Sequence, residues 1–443
     1  MDTLIRIAQV ILCLSILVTL HECGHFFPAR WFKTKVDKFY LFFDPWFSLF
    51  SFKRGDTEYG IGWLPLGGYV KIAGMIDESM DKEQMEGPVQ PWEFRAKPAW
   101  QRLIIMLGGV IVNFVLGFFL LGMIFWVWGE SYIPNDQIVE GIYVDSLGYE
   151  MGLRDGDKIL KVGDADFEKF SKGTLVKAVV IDQADNMLVN RAGKKVTLPI
   201  LPEYTNKLAG SEGKNMELFG ARQMAIVDSI LAESTPDMMG FKKGDQIISF
   251  NNQSIQYKHE YEKTLYENFE KNINLGVIRN NSDTINISYT LPVKPDYKSG
   301  MGWKSDIIPN IESYSFTEAF PLGYRKGVAF LGDQITAFKL MFQGKLDHKE
   351  SVGSVISIGK MFPPTWDWKQ FWYMTAILSL ILAVMNLLPI PALDGGHVIF
   401  LLFEWITGIK PNDKFMEYAT TAGFFILMAL MIYVLGLDIS KLF

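Results

Sequence analysis

Cysteine is almost absent from this chain. The only two, Cys13 and Cys23, both lie in the first apolar run, so no disulfide framework is implied. An excess of positive charge is also missing. The 43 Lys and Arg stand against 49 Asp and Glu, a net charge of −6, which argues against general nucleic-acid binding. Basic residues are locally missing as well: after the apolar run ending near Val127 there is no Lys or Arg until Arg154, while Glu130, Asp136, Glu140, Asp145 and Glu150 crowd the same stretch. The first apolar run lacks the marks of a cleaved leader, having only Arg6 in its head and no small-residue cleavage site after it. It is expected to be retained.

Apolar residues are what the chain has in quantity, 49% of its 443 residues. That length leaves room for roughly two to four domains. Four segments are apolar enough to span a bilayer, about 20 residues sufficing for a helix. They are Leu4 to Phe27, Leu103 to Val127, Phe371 to Ile390 and Ala419 to Leu435. Arg30, Lys33, Lys35 and Lys38 follow the first of them closely, so positive charge places residues 28–102 on the cytoplasmic side and 129–369 outside. Trp126, Trp128, Trp366, Trp368, Trp372 and Tyr373 are expected to form an outer aromatic belt.

The first run ends in His21-Glu22-Cys23-Gly24-His25, an H-E-x-x-H motif. On a helix, His21 and His25 are one turn apart and share a face, so both imidazoles reach one metal ion. Glu22 beside them is placed to accept a proton from water. An ionised carboxylate at the bilayer centre costs about 3 kcal/mol, so such residues point to function rather than decoration. Cys23 lies off the His21/His25 face and reads as a packing residue. A catalytic zinc needs three protein ligands. The third apolar segment ends Asn386-Leu387-Leu388-Pro389-Ile390-Pro391-Ala392-Leu393-Asp394-Gly395-Gly396-His397, where two prolines break the helix and a carboxylate follows. Asp394 is the expected third ligand, with His397 as its rival. Asn386 is a candidate for hydrogen-bonding substrate backbone.

Between these motifs, residues 57–74 are apolar and punctuated by Gly60, Gly62, Pro65, Gly67 and Gly68, so hairpins are expected. Non-helical backbone at membrane depth is tolerated only when buried in protein or lining a wet cavity. A re-entrant β element beside the metal meets that condition, and its edge at Gly67, Gly68 and Tyr69 is a candidate substrate-pairing strand; a surface hairpin is the alternative. Residues 78–100 are charged, contain proline and carry no evident chemistry. In the second apolar segment, Gly108-Gly109 allows close helix contact. Asn113 is a polar group in lipid, either structural glue or a residue facing the active site.

An internal repeat follows. Ser146-x-x-x-x-Met151-Gly152-Leu153-x-x-Gly156-Asp157-x-Ile159 recurs as Ser234-x-x-x-x-Met239-Gly240-Phe241-x-x-Gly244-Asp245-x-Ile247, a constant 88 residues on. A short helix, a Gly-Asp turn and an apolar strand form the pattern of a PDZ domain, which binds peptides by adding a strand to a sheet edge; structural spacers are the alternative. Residues 315–345 carry a helical apolar pattern and are expected on the outer membrane surface or against the repeats. The expected organisation is 1–128 for the first two spans with the re-entrant β element, 135–205 and 220–296 for two α+β PDZ domains, 315–370 for the external helix and loop, and 371–443 for the last two spans. The fold class is therefore membrane α-helical, with about four transmembrane helices.

With His21-Glu22-x-x-His25, Gly109-x-x-x-Asn113 and Asn386-x-x-Pro389-x-Pro391-x-Leu393-Asp394-Gly395 together, the chain resembles the site-2 protease family of intramembrane zinc metalloproteases. It is most similar to the bacterial, sigma-E-regulating branch with two PDZ domains between the second and third helices. The resemblance covers nearly the whole chain. It implies Zn2+ held by His21, His25 and Asp394, Glu22 as base, Asn386 holding substrate and residues 60–70 as the re-entrant element. It also implies an inner-membrane setting with periplasmic PDZ domains that screen substrates and an active site near the cytoplasmic side. The implied substrates are single-span membrane proteins such as anti-sigma factors or remnant signal peptides, cut by regulated intramembrane proteolysis. One departure is Val352-Gly353-Ser354-Val355, where the family often has Gly-Pro-Ile-Gly. Competing readings are a membrane-anchored zinc peptidase acting on soluble chains, a PDZ peptide receptor without proteolysis, and a metal transporter. An intact Glu22 disfavours the last two, which need no general base.

Overall fold

The structure, a computed structural model, describes residues 2–440 apart from 66, 76–86, 211–212, 214–215, 281 and 352–354. The departure at 352–354 and the charged stretch 78–86 therefore lie outside the described residues. The chain divides into two compact units. One comprises Met1–Gly129, Ser313–Phe338 and Val352–Phe443, the other Glu130–Glu312 and Lys339–Ser351.

The first unit is built on helices α1 (Asp2–Trp31), α2 (Ala99–Trp128), α3 (Trp368–Leu387), α4 (Asp394–Thr407) and α5 (Asp413–Ser440). Four of these, α1, α2, α3 and α5, are long and apolar enough to cross a membrane. A helix is the form such a run must take, because it satisfies every backbone N–H and C=O within the segment. α2 is the central post, packed against α1, α3 and α4. Small residues set the closeness. A Cβ on Gly24 of α1 would run into the main chain of Gly108 and Gly109 on α2, and one on Gly117 into Leu380 of α3. The helix Phe316–Phe342 also packs on α2, through Gly323 against Gly122 and Gly327 against Phe118. The glycines let its first turns approach α2 directly.

Between α1 and α2 the chain makes a sheet of β1 (Val36–Leu41), β2 (Phe43–Arg54), β3 (Thr57–Leu64) and β4 (Tyr69–Ile72), in the order β2-β3-β1-β4. The β element beside the first two spans is present, but the hairpin expected within 57–74 is not. β3 pairs antiparallel with β2 and parallel with β1, and β4 pairs only with β1. β4 is thus an edge strand. On the far side of the sheet, β2 exposes Trp46, Phe47, Leu49, Phe50 and Phe52.

The second unit contains the repeat. Each copy has a short helix (Ser146–Glu150, Thr235–Met238), the Gly-Asp turn, a four-stranded sheet and a nine-residue helix (Lys172–Val180, Lys258–Tyr266). Gly152, Gly156, Gly240 and Gly244 all have φ between 82° and 90°, which explains glycine at those turns. The turn aspartates, Asp157 and Asp245, are fully buried, and each is held by an arginine 34 residues later. Arg191 Nε and Nη2 each donate to Asp157 at 2.8 Å, and Arg279 donates to Asp245 at 2.8 and 2.7 Å. Bidentate pairing of this kind makes a buried carboxylate tolerable. Among the described residues three strand pairs lie outside the four-stranded sheets: Phe219–Ala221 with Ile142–Val144, Met301–Trp303 with Val227–Ile230, and Asn310–Glu312 with Glu130–Tyr132.

Candidate metal centre

α1 brings His21, Glu22 and His25 to one end of the membrane-spanning unit, and α4 begins there with Asp394. The chain reaches Asp394 by a turn after α3 that is too tight for side chains at its next two positions. A Cβ on Gly395 would strike the main chain of Leu387 and Leu388, and one on Gly396 that of Ile390 and Pro391.

Three ligand-type atoms converge. His21 Nε2 and His25 Nε2 are 3.2 Å apart, and Asp394 Oδ2 lies 3.4 Å from each. His25 Nδ1 donates to the main-chain oxygen of Ile105 at 2.8 Å, which leaves the Nε2 lone pair facing the other two atoms. Asp394 Oδ2 is buried and accepts no hydrogen bond. Three electron-pair donors facing one another call for a cation between them. Zinc suits them: tetrahedral bonds of about 2.0–2.1 Å place ligand atoms roughly 3.3 Å apart. Among the described residues this is the one cluster of His, Cys, Asp and Glu with such geometry. His397, the rival ligand, lines the same cavity but is not part of the cluster.

The surrounding groups orient the cluster. The amide nitrogen of Asn113 is 3.1 Å from His21 Nδ1, and that of Asn386 is 3.4 Å from His21 Nε2. Gly109 has a role that its sequence context did not reveal. A Cβ there would lie 2.6 Å from His21 Cε1 and collide with His25 Nε2. The pair Gly108-Gly109 in an apolar helix was the available signal, and it read only as helix packing.

A cavity of about 720 Å³ opens beside the cluster. Its walls include Glu22, Gly68, Tyr69, Val70, Asn386 and Asp394. Gly68 lies close against α1 and β1, since a Cβ there would sit 2.6 Å from both Val18 Cγ1 and the Tyr40 main-chain oxygen. Gly67 packs against Phe43 instead. Glu22 and Val70 of β4 line the same cavity, and a Cβ on Gly68 would lie 3.6 Å from Glu22 Cγ. The edge of β4 and Glu22 therefore face one cavity, a relation that sequence spacing does not reveal.

The model of peptidase family M50 matches residues 9–430. Curated relatives align over essentially their whole length and carry the provisional name zinc metalloprotease. One from Thermotoga maritima is 27% identical over 98% of this chain and 99% of its own. One from Rickettsia conorii is 26% identical over 99% and 100%, and one from Neisseria meningitidis is 26% identical over 98% of each.

Proposed function

Because this chain belongs to peptidase family M50, the site-2 proteases, and is thus a zinc metalloprotease of the membrane, we propose that it cleaves peptide bonds within the transmembrane segments of single-span proteins. In this reading His21, His25 and Asp394 hold the zinc and Glu22 is the base. The observation that carries it is the triangle of His21 Nε2, His25 Nε2 and Asp394 Oδ2 with Glu22 beside it.

Zinc, when bound, supplies a Lewis acid that acidifies water and polarises the scissile carbonyl. Glu22 accepts a proton from the attacking water and passes it to the amide nitrogen as the C–N bond breaks, leaving a carboxylate and an amine. Asn386 donates to the carbonyl oxygen as negative charge grows there. Asn113 and the Ile105 carbonyl fix the two imidazoles, as outer partners of metal-bound histidines commonly do. A substrate helix must unwind before its carbonyl is accessible. Pairing with β4, at Gly68, Tyr69 and Val70, offsets the helical hydrogen bonds it gives up.

The two repeats are read as PDZ domains that screen what reaches the site. The cell location that fits is a bacterial inner membrane, with the repeats periplasmic and the cluster towards the cytoplasm. Anti-sigma factors and remnant signal peptides are the substrate classes in view. The test is a pair of substitutions. Asp394→Ala should lose both zinc and cleavage, while Glu22→Gln should lose cleavage and keep zinc. Full zinc occupancy in Asp394→Ala would remove that residue from the site.

A further inference from the structure

The face of the sheet that lines the catalytic cavity is charged. Lys38 on β1 is in register with Lys71 on β4, and Tyr40 with Tyr69. Lys38, Asp44, Tyr69 and Lys71 all line the cavity. The carboxylates on this face are already occupied by hydroxyls. Asp44 accepts from Tyr69 at 2.9 Å and from Ser48 at 3.1 Å, and Glu58 accepts from Tyr40 at 2.6 Å. Lys38 is in register with Glu58 across β1 and β3, yet among the described residues it makes no ion pair. Its Nζ stands 5.3 Å over the Tyr40 ring. Lys71 has a partner of its own. Lys38 is thus the cation on this face without a carboxylate partner among the described residues, and an anion entering the cavity would supply one.

We propose that Lys38 is a specificity residue, receiving an acidic side chain of the substrate beside the cleaved bond. The inference rests on the reading that substrate pairs with β4. A strand added there presents alternate side chains to the two faces of the sheet. Glu22, Gly68, Tyr69 and Val70 line one cavity, with Gly68 close to Glu22 Cγ, so the scissile bond is placed level with this start of β4, at Val70. The substrate residues one step to either side then share the face of Tyr69 and Lys71. Strands are about 4.8 Å apart, so β1 and the substrate, with β4 between them, are separated by about 10 Å. A lysine stem and a glutamate side chain together cover that distance, whereas aspartate, one methylene shorter, reaches less well. Glutamate next to the cleaved bond is the preferred partner.

The experiment uses the full-length zinc enzyme in uncharged detergent. Single-span substrates carry Glu, Asp, Gln or Lys in turn at each residue flanking the cleaved bond, and kcat/KM is measured for wild type, Lys38→Met and Lys38→Glu. At one flanking position wild type should favour Glu over Gln on the order of tenfold, with Asp between them. Lys38→Met should bring the Glu-to-Gln ratio near one, and Lys38→Glu should favour Lys. Zinc content and thermal midpoint, read on every variant, exclude misfolding, and Lys38→Met suffices if Lys38→Glu does not fold. No charge preference in wild type, or a preference that survives Lys38→Met, overturns the proposal. So does a Lys38-dependent stimulation by anionic-lipid vesicles that is equal for all substrates, because the bound anion is then a headgroup. Tyr69→Pro and Val70→Pro separate the two levels. If both cleave at the wild-type rate, strand pairing itself fails; if either is impaired and no charge preference exists, only the role of Lys38 fails.

Discussion

The side-chain amide nitrogen of Asn113 lies 3.1 Å from Nδ1 of His21, while Asn113 Oδ1 is buried with no partner. A histidine that gives its Nε2 lone pair to a metal carries its proton on Nδ1, and that proton needs an acceptor. Turning the Asn113 amide over supplies the acceptor and satisfies the orphaned oxygen together.

In the proposed reading Asn113 positions His21. Asn113→Asp, which keeps an acceptor, should retain zinc. Asn113→Leu should weaken zinc affinity by roughly 10–100-fold, the usual cost of losing an outer-shell partner. Metal titration against a competing chelator measures both. Equal affinities in Asn113→Leu and wild type would make Asn113 a helix-packing residue only.

Proline at Tyr69 or Val70 removes the N–H that a strand edge needs. Successive N–H groups of a strand point to opposite edges, so one of these two serves β1 and the other the open edge. The open-edge substitution should depress turnover while leaving zinc content and the thermal midpoint near wild type, and the other should lower the midpoint too. Near-wild-type turnover in both would show that β4 is not a substrate-pairing edge.

In the repeats, Arg279→Met strands the fully buried carboxylate of Asp245. Removing one partner of a buried pair costs about 3–5 kcal/mol. Limited proteolysis should then cut within the second copy, while zinc content stays unchanged. Adding Asp245→Asn should restore part of the protection, because the uncompensated charge is gone. Arg191→Met should do the same to the first copy, through Asp157.

Removing the repeats tests their screening role. The stretch to delete is 130–312 rather than 135–296, because Val227–Ile230 pairs with Met301–Trp303 and the shorter deletion would leave that strand unpartnered. Joined by a flexible linker, the remaining protein should still cleave a substrate with a short external tail. It should also begin to cleave one that bears a folded external domain. Product analysis by gel for both substrates decides it: continued rejection of the folded-domain substrate by a stable, active deletion would end the size-filter reading.

Local patterns in the chain carried much of this architecture. The four spans, the 88-residue repeat and the cluster of His21, Glu22, His25 and Asp394 are each written in a short motif or a long apolar run. What stayed hidden depends on distant partners. Arg191 and Arg279 lie 34 residues from the aspartates they hold, and only extending the repeat alignment would have picked them out. β1 and β2 were unrecognised because Val36–Arg54 mixes aromatic and basic residues without clean alternation, and β1 takes its partners from β3 and β4, later in the chain. α4 was missed because its glycine-rich start reads as a turn, and it is one only until Asp394.

The contact between Gly24 and Gly108 has a bearing on how this protein tolerates change. It joins α1 to α2 by main chain alone, one residue from His25 on one helix and directly before Gly109 on the other. No side chain acts as a spacer there, so exchanging lipid-facing residues along either helix leaves that distance as it is. Mutational drift over the apolar exterior is thereby decoupled from the ångström-scale placement of the imidazoles. Only a change at the glycines themselves would push the two helices apart.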